Sequence, residues 1–344
     1  MSERLGTQLQ PGGLEQSIHT GLLGKGLFAG ASLDLYFAVT KNIGPLVTFT
    51  RASSGTFVGS AGVLQTATTN EPRFTHDPTT GESLGLMVEE ARTNLLLNSG
   101  TLSTQSATVT AVAHTLSFTG TGTITLTGTS TAGPLVGTGT GEAKRVSLTF
   151  TPTAGSLTLT VSGTVTNAQL EAGASRTSYI ATAGATATRA ADVASITGSA
   201  FSSWYQQDEG TVFADASVLS TSKTNQVISF NDGTTNNRLE LRLVGGAADT
   251  MRTDCIISGV TKYSNQNFAL TGQRRIGALA IKANDFRMQS GASGVSPASD
   301  AVPTVDRLYL NYATFVNGEI NGTIRRLVYW GQRLPNNVLQ AITQ

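Results

Sequence analysis

Few charges, few aromatic rings and a single cysteine set the first limits on this chain of 344 residues. One thiol, Cys255, cannot form an intrachain disulfide, so the fold rests on packing and hydrogen bonds rather than on a covalent framework. Charged residues make up 13 %, well under the roughly 25 % of an average soluble domain. The formal net charge is +1 with Lys and Arg scattered, which argues against a polyanion-binding surface, because phosphate neutralisation needs clustered cations. No nucleic-acid partner is therefore expected. No apolar run reaches the length of a bilayer span, and the opening MSERLGTQLQPGG lacks the apolar segment of a signal peptide. Neither membrane insertion nor a standard export signal is expected.

Thr, Ser, Gly and Asn fill the space those absences leave. Over residues 101–170 only Glu142, Lys144 and Arg145 carry charge. A period of two runs through His114–Phe118, Thr123–Thr127, Ser147–Phe150 and Ser156–Val161, with hydroxyl residues on one face and Leu, Ile, Val or Phe on the other. That is the pattern of half-buried antiparallel strands, with glycine turns at the spacing of a sandwich. From residue 198 onward the pattern resumes. Thr211–Val218 and Gln226–Phe230 lead into an Asn/Asp/Gly turn at 231–237, Arg238–Leu243 leads out, and Asp306–Asn311 and Thr323–Trp330 supply strands near the end. Further strands are expected at Phe268–Leu270, Arg275–Ala283 and Asp285–Gln289, a tight turn at 317–322, and a C-terminal helix over Leu334–Gln344 with Leu334, Val338 and Ile342 on one face.

The predicted class is all-β: a small N-terminal β unit, a β-sandwich, and a C-terminal concanavalin A-like jelly roll. The divisions are a Gly-punctuated arm at 1–45, the small β domain at 46–100, a carbohydrate-binding-like sandwich at 101–170, a linker at 171–197 and the jelly roll at 198–344. Within the arm, Leu33–Val39 is the best candidate for structure, as a short strand or a helical turn.

Chemistry-bearing residues are sparse. His76, Asp77, Glu89 and Glu90 invite a catalytic or metal reading, but adjacent residues on a strand point to opposite faces, and a metal needs several convergent ligands. Structural pairing of Glu89 and Glu90 with Arg51 and Arg92 is the preferred reading. The run GTGTGEAK at 137–144 has neither the context of a dinucleotide fingerprint nor the Lys-Ser/Thr of a phosphate loop. Glycoside hydrolysis needs two facing carboxylates, and Asp215, Glu240 and Asp285 are not visibly paired. No enzymatic activity, metal or cofactor is expected. The binding candidates are Trp204 and Tyr205, read either as a plug at the domain junction or as a stacking platform for a sugar ring, with Asp215, Asn231, Asp232 and Asn236 as nearby polar groups. Asp232 is the one acidic residue of its loop, which favours an Asx-rich hairpin turn over calcium.

Three sets of residues carry a resemblance. FTRASSGTF at 49–57, NEPRFTHDP at 70–78 and EEARTNLL at 89–96 resemble the N-terminal signature of tailed-bacteriophage virion proteins of the head-spike or tail-fibre type. AQLEAGASRTSYI at 168–180 followed by TRAAD at 188–192 is similar to the joint such proteins carry after a carbohydrate-binding-like sandwich. FNDGT at 230–234 with IRRLVYW at 324–330 resembles a laminin G or concanavalin A-like jelly roll. The resemblance implies a structural component of a virion, located on the particle and assembled as a homotrimer or larger oligomer against other head or tail proteins. It assigns virion attachment to the arm at 1–45. The alternative is a receptor-binding protein that recognises host-surface glycan through the jelly roll.

Overall fold

The computed structural model describes residues 26–218, 225–244, 250–269, 274–296, 299, 301–310 and 321–344. Two antiparallel sheets stacked face to face form the larger β-sandwich. The eight-stranded sheet runs, in spatial order, through Ser293–Val295, Arg287–Ser290, Arg274–Lys282, Glu209–Val218, Gly322–Trp330, Ser83–Val88 and Arg73–His76, with Leu33–Leu35 also paired to Gly322–Trp330. The seven-stranded sheet runs through Thr48–Thr50, Val193–Thr197, Arg307–Leu310, Asn225–Asn231, Arg238–Val244, Thr250–Ile257 and Val260–Ala269. Alternation explains the stacking. Leu239 and Leu241, Leu308 and Leu310, and Ile228 and Phe230 point inward from one sheet, meeting Val212, Ala214, Leu279, Leu327 and Tyr329 from the other. Each fully buried Leu, Ile or Phe contributes roughly 1.5–3 kcal/mol to this core.

The smaller sandwich also matches its pattern. Strands Gln105–Val109, Gly155–Ser162, Thr123–Gly128 and Leu135–Val136 form one sheet, and Val146–Phe150, His114–Gly120 and Val165–Ala172 the other. Leu116, Phe118, Ile124, Leu157, Leu159 and Leu170 lie between them. Strand His114–Gly120 is buried on both faces rather than one. Its hydroxyls face protein: Thr115 donates to the Gly173 carbonyl at 2.8 Å, and Ser117 accepts from Arg145 at 3.2 Å.

Strand pairing cuts across the divisions expected from sequence. The strands of the 46–100 unit are shared out: Thr48–Thr50 joins the seven-stranded sheet, while Arg73–His76 and Ser83–Val88 join the eight-stranded one. The 171–197 stretch is no plain linker, since Ala187–Arg189 pairs with Arg92–Asn94 and Val193–Thr197 lies inside the seven-stranded sheet. Residues before and after the smaller sandwich thus build one larger sandwich together, which short-range patterning could not show. Gly322–Trp330, the last strand of the chain, lies inside its sheet, between Glu209–Val218 and Ser83–Val88. Gly85 permits that last pairing: with φ +88° and the Ile324 carbonyl 2.2 Å from where a Cβ would stand, only glycine fits.

The arm and the C-terminus close the outer face of the eight-stranded sheet. Leu33–Leu35 is a strand and Phe37–Thr40 a helical turn, so both expectations for that stretch are met in succession. Phe28 stacks on Trp330 and meets Phe213 edge-on, while the Arg326 guanidinium lies over the rings of Phe28 and Tyr36. Helix Asn336–Ile342 packs onto the same face through Leu339 and Ile342, with Leu334 beside them. Leu339 is the deeper contact and Val338 only partly buried, because the helix begins two residues later than the sequence suggests. Residues 1–25, Leu270 and most of the expected 317–322 turn lie outside the described residues.

Candidate functional site

Two concentrations of polar groups stand out. The first is a sealed joint between the sandwiches. Arg51, Arg73, Arg189, Glu89 and Asp192 are each at most 3 % exposed. Asp192 binds Arg51 at 3.0 Å and also Arg73. Glu89 binds Arg73 at 2.8 Å, with Arg189 at 3.5 Å. The Ser178 backbone N–H and hydroxyl donate to Glu89 at 2.7 and 2.6 Å, and the Glu89 N–H donates to Asp192 at 2.9 Å. Burial alone would push the Glu89 carboxyl up. Arg189, Arg73 and the two Ser178 donors outweigh it and hold the group at about 2. Beside them Arg92 pairs with Glu90, which also accepts from Asn321 at 2.9 Å. Asn94 uses its whole amide, donating to the Ala168 and Ile180 carbonyls and accepting from Leu96 and Leu170.

The expected pairing of Glu90 with Arg92 is found, whereas Arg51 serves Asp192 rather than either glutamate. His76 turns its Nδ1 to the Val58 carbonyl at 3.2 Å, and Asp77 caps its own turn by accepting from Thr79 and Thr80 at 2.8 Å. Among the described residues no group of three His, Cys, Asp or Glu side chains could hold a metal.

The binding residues expected from sequence do not converge. Trp204 is 6 % exposed, and its ring sits among Phe201, Tyr205, Phe230 and Tyr329 with centroids 5.1–6.4 Å apart. Tyr205 stacks between Phe201 and Tyr329. Both rings are core, the plug rather than the platform, because helix Gly198–Ser202 turns them inward onto the sandwich. Asp215 is buried beside Arg325 at 3.7 Å, on the other sheet. Asn231 is fully buried, donating to Ser229 and accepting from the Gly233 N–H at 2.9 Å. Asp232 spends its carboxylate on Thr234 and Asn237. Burial pushes that carboxyl up, but these donors bring it below its ordinary range. Asn236 is exposed on the turn, its carbonyl taken by Gly259 at 2.9 Å.

The second concentration is the outer face of the seven-stranded sheet. Register sets one row of side chains across it: Thr48, Ser195, Tyr309, Ser229, Glu240, Asp254 and Ser264. At about 4.8 Å per strand the row spans roughly 29 Å. Tyr309 is its one aromatic ring, half-buried between Ser195 and Ser229. Alternation brings Arg307 to the same face, where its guanidinium lies over Gly233 of the 231–237 turn and binds Asp306 at 2.6 Å. Farther along, charges interleave. Arg238 and Arg242 meet on Glu240, and Arg242 and Arg252 on Asp254 at 3.1 and 2.8 Å. Sequence reasoning misses Tyr309 and these arginines. The signal is present in the period of two through RLYL at 307–310 and RLELR at 238–242, but only the register places their polar halves side by side.

No family model matches the chain, and no curated protein matches it. Among solved structures, the CBM40 of Ruminococcus gnavus IT-sialidase bound to alpha2,3 sialyllactose is 17 % identical, covering 40 % of this chain and 83 % of that one, with a TM-score of 0.36. The K499G mutant of NanB sialidase from Streptococcus pneumoniae is 14 % identical over 43 % of this chain and 26 % of its own, TM-score 0.36. Trypanosoma rangeli sialidase is 10 % identical over 44 % and 26 %, TM-score 0.34. At these scores the likeness extends only to antiparallel β architecture.

Proposed function

We propose that this chain is a glycan-binding attachment protein, carried on a bacteriophage particle, that reads a surface saccharide with the outer face of its seven-stranded sheet. The observation that carries the reading is the row centred on Tyr309: a half-buried ring between Ser195 and the buried Ser229, with arginines and carboxylates within two or three strands. Sugars present an apolar ring face edged by hydroxyls, and such a surface offers both an aromatic face and fixed hydrogen-bonding groups. The opposite outer face is closed by Phe28 and helix Asn336–Ile342.

The virion setting rests on the resemblance of the blocks at 49–57, 70–78, 89–96 and 168–192. A purely structural role on the particle is the second reading, favoured by the sealed joint that those same blocks build. Self-association as a trimer or larger assembly, against other head or tail proteins, belongs to either reading.

A glycan array probed with the full chain tests the first. Specific saccharide binding is expected, weakened at least tenfold in Tyr309→Ala, equivalent to about 1.4 kcal/mol, and kept in Trp204→Phe. An array silent to the wild-type chain contradicts glycan recognition and favours the structural reading.

A further inference from the structure

In the sequence block at 168–180 nearly every polar side chain has a structural partner. Gln169 donates to Glu171 at 2.7 Å and accepts from the Ile180 N–H at 2.6 Å. Glu171 accepts from the Thr177 N–H and hydroxyl at 2.8 and 2.7 Å. Ser178 serves Glu89, and the Tyr179 hydroxyl meets Ser99 at 2.7 Å. Ser175 and Arg176 are the exceptions. Both are half-buried, yet among the described residues the Arg176 guanidinium makes no hydrogen bond and no ion pair.

The segment that carries them is pinned at both ends. The Gly173 N–H donates to the Ala113 carbonyl at 2.7 Å and the Gly173 carbonyl accepts from Thr115 at 2.8 Å, while Thr177 is held by Glu171. Register aligns Thr149, Thr115 and Glu171 in one row and Ser147, Ser117 and Gln169 in the next. The segment therefore crosses the hydroxyl-rich outer face of the three-stranded sheet, whose edge residues Ser147 and Thr149 are exposed. From residue 101 to 176 the cations are Lys144, Arg145 and Arg176, and the fold gathers them on this face. Arg145 donates to Ser117 at 3.2 Å and is answered by Glu142 at 2.9 Å. On Arg176 it acts as a like charge. Burial and Arg145 lower Arg176 below the ordinary arginine range by more than Glu142, Glu171 and Glu89 make up. Cations brought together on a partly desolvated surface cost stability unless an anion joins them.

We propose that Arg176, with the Ser175 hydroxyl beside it, binds an oxyanion of the carboxylate or sulfate type on the smaller sandwich, at a site separate from the Tyr309 face. A guanidinium fork matches such a group, and a pinned segment holds the fork in place beforehand. The full chain is titrated calorimetrically in chloride at constant ionic strength, with sulfate in one arm and acetate in the other. Saturable binding is expected in at least one arm, about tenfold weaker in Arg176→Gln. Arg176 makes no internal bond, so this variant should unfold at the wild-type temperature. Where it fails to fold, Arg176→Lys keeps the charge, loses the fork and should still weaken binding. The tighter arm tells a tetrahedral from a planar natural group, and either supports the site. Crystals soaked in selenate should show an anomalous peak within hydrogen-bond distance of Arg176. No saturation in either arm, or affinity unchanged by the substitution, overturns the proposal. A selenate peak without saturable binding in solution is an adventitious ion only and overturns it too. None of these outcomes alters the glycan reading at Tyr309.

Discussion

Asp192→Ala is expected to destabilise the chain by about 3–5 kcal/mol, the usual cost of removing one partner from a buried ion pair. Asp192 accepts from Arg51, from Arg73 and from the Glu89 N–H. Its loss leaves two buried guanidinium groups with fewer acceptors and frees strand Val193–Thr197, which follows directly in the seven-stranded sheet. Equilibrium unfolding in urea reads the effect. Asp306→Ala serves as the comparison: it removes a pair whose members are 30 % and 61 % exposed, and such surface pairs contribute about 1 kcal/mol or less. A loss below about 1 kcal/mol in Asp192→Ala would show that the joint relaxes around the gap and does not hold the sandwiches together.

Acid should weaken the same joint through Glu89. Its carboxyl is held at about 2 against an ordinary 4.5, so the folded state favours the ionised form. The stability this contributes is complete above about pH 4.5. It is lost progressively as pH falls towards 2, and no further loss comes below that. A carboxyl lowered this far contributes on the order of 3 kcal/mol at neutral pH. The measurement is the difference in unfolding free energy between wild type and Glu89→Gln at pH 7, 4.5, 3 and 2. The gap should be widest at pH 7 and close through the acid window, since only the wild type has a carboxylate there to protonate. A gap that stays constant from pH 7 to 2 would mean that Glu89 is not held ionised by Arg189 and Arg73.

How much of this is legible in the sequence depends on range along the chain. Local signals read well. Alternation finds the strands of the smaller sandwich, and the C-terminal helix is present. Long-range pairing does not read. Nothing in Thr48–Thr50 announces that it will lie beside Val193–Thr197, and nothing in Leu33–Leu35 announces Gly322–Trp330. The blocks that carry the family resemblance are visible as sequence, yet their chemistry emerges only when Arg51, Arg73, Glu89, Ser178 and Asp192 meet in one place. The expected site fails for a related reason. Residue type beside an Asn/Asp-rich turn points to Trp204 and Tyr205, while helix Gly198–Ser202 directs them into the core. Tyr309 looks like any strand aromatic, because the serines beside it come from strands far away along the chain.

The central claim is that ligand is read on the outer face of the seven-stranded sheet. A crystal structure of the full chain grown with the saccharide that binds most tightly tests it most directly. The expected result is a sugar ring over Tyr309, between Ser195 and Ser229. A sugar seated instead on the hydroxyl faces of the smaller sandwich, or beside Trp330 and helix Asn336–Ile342, would contradict it.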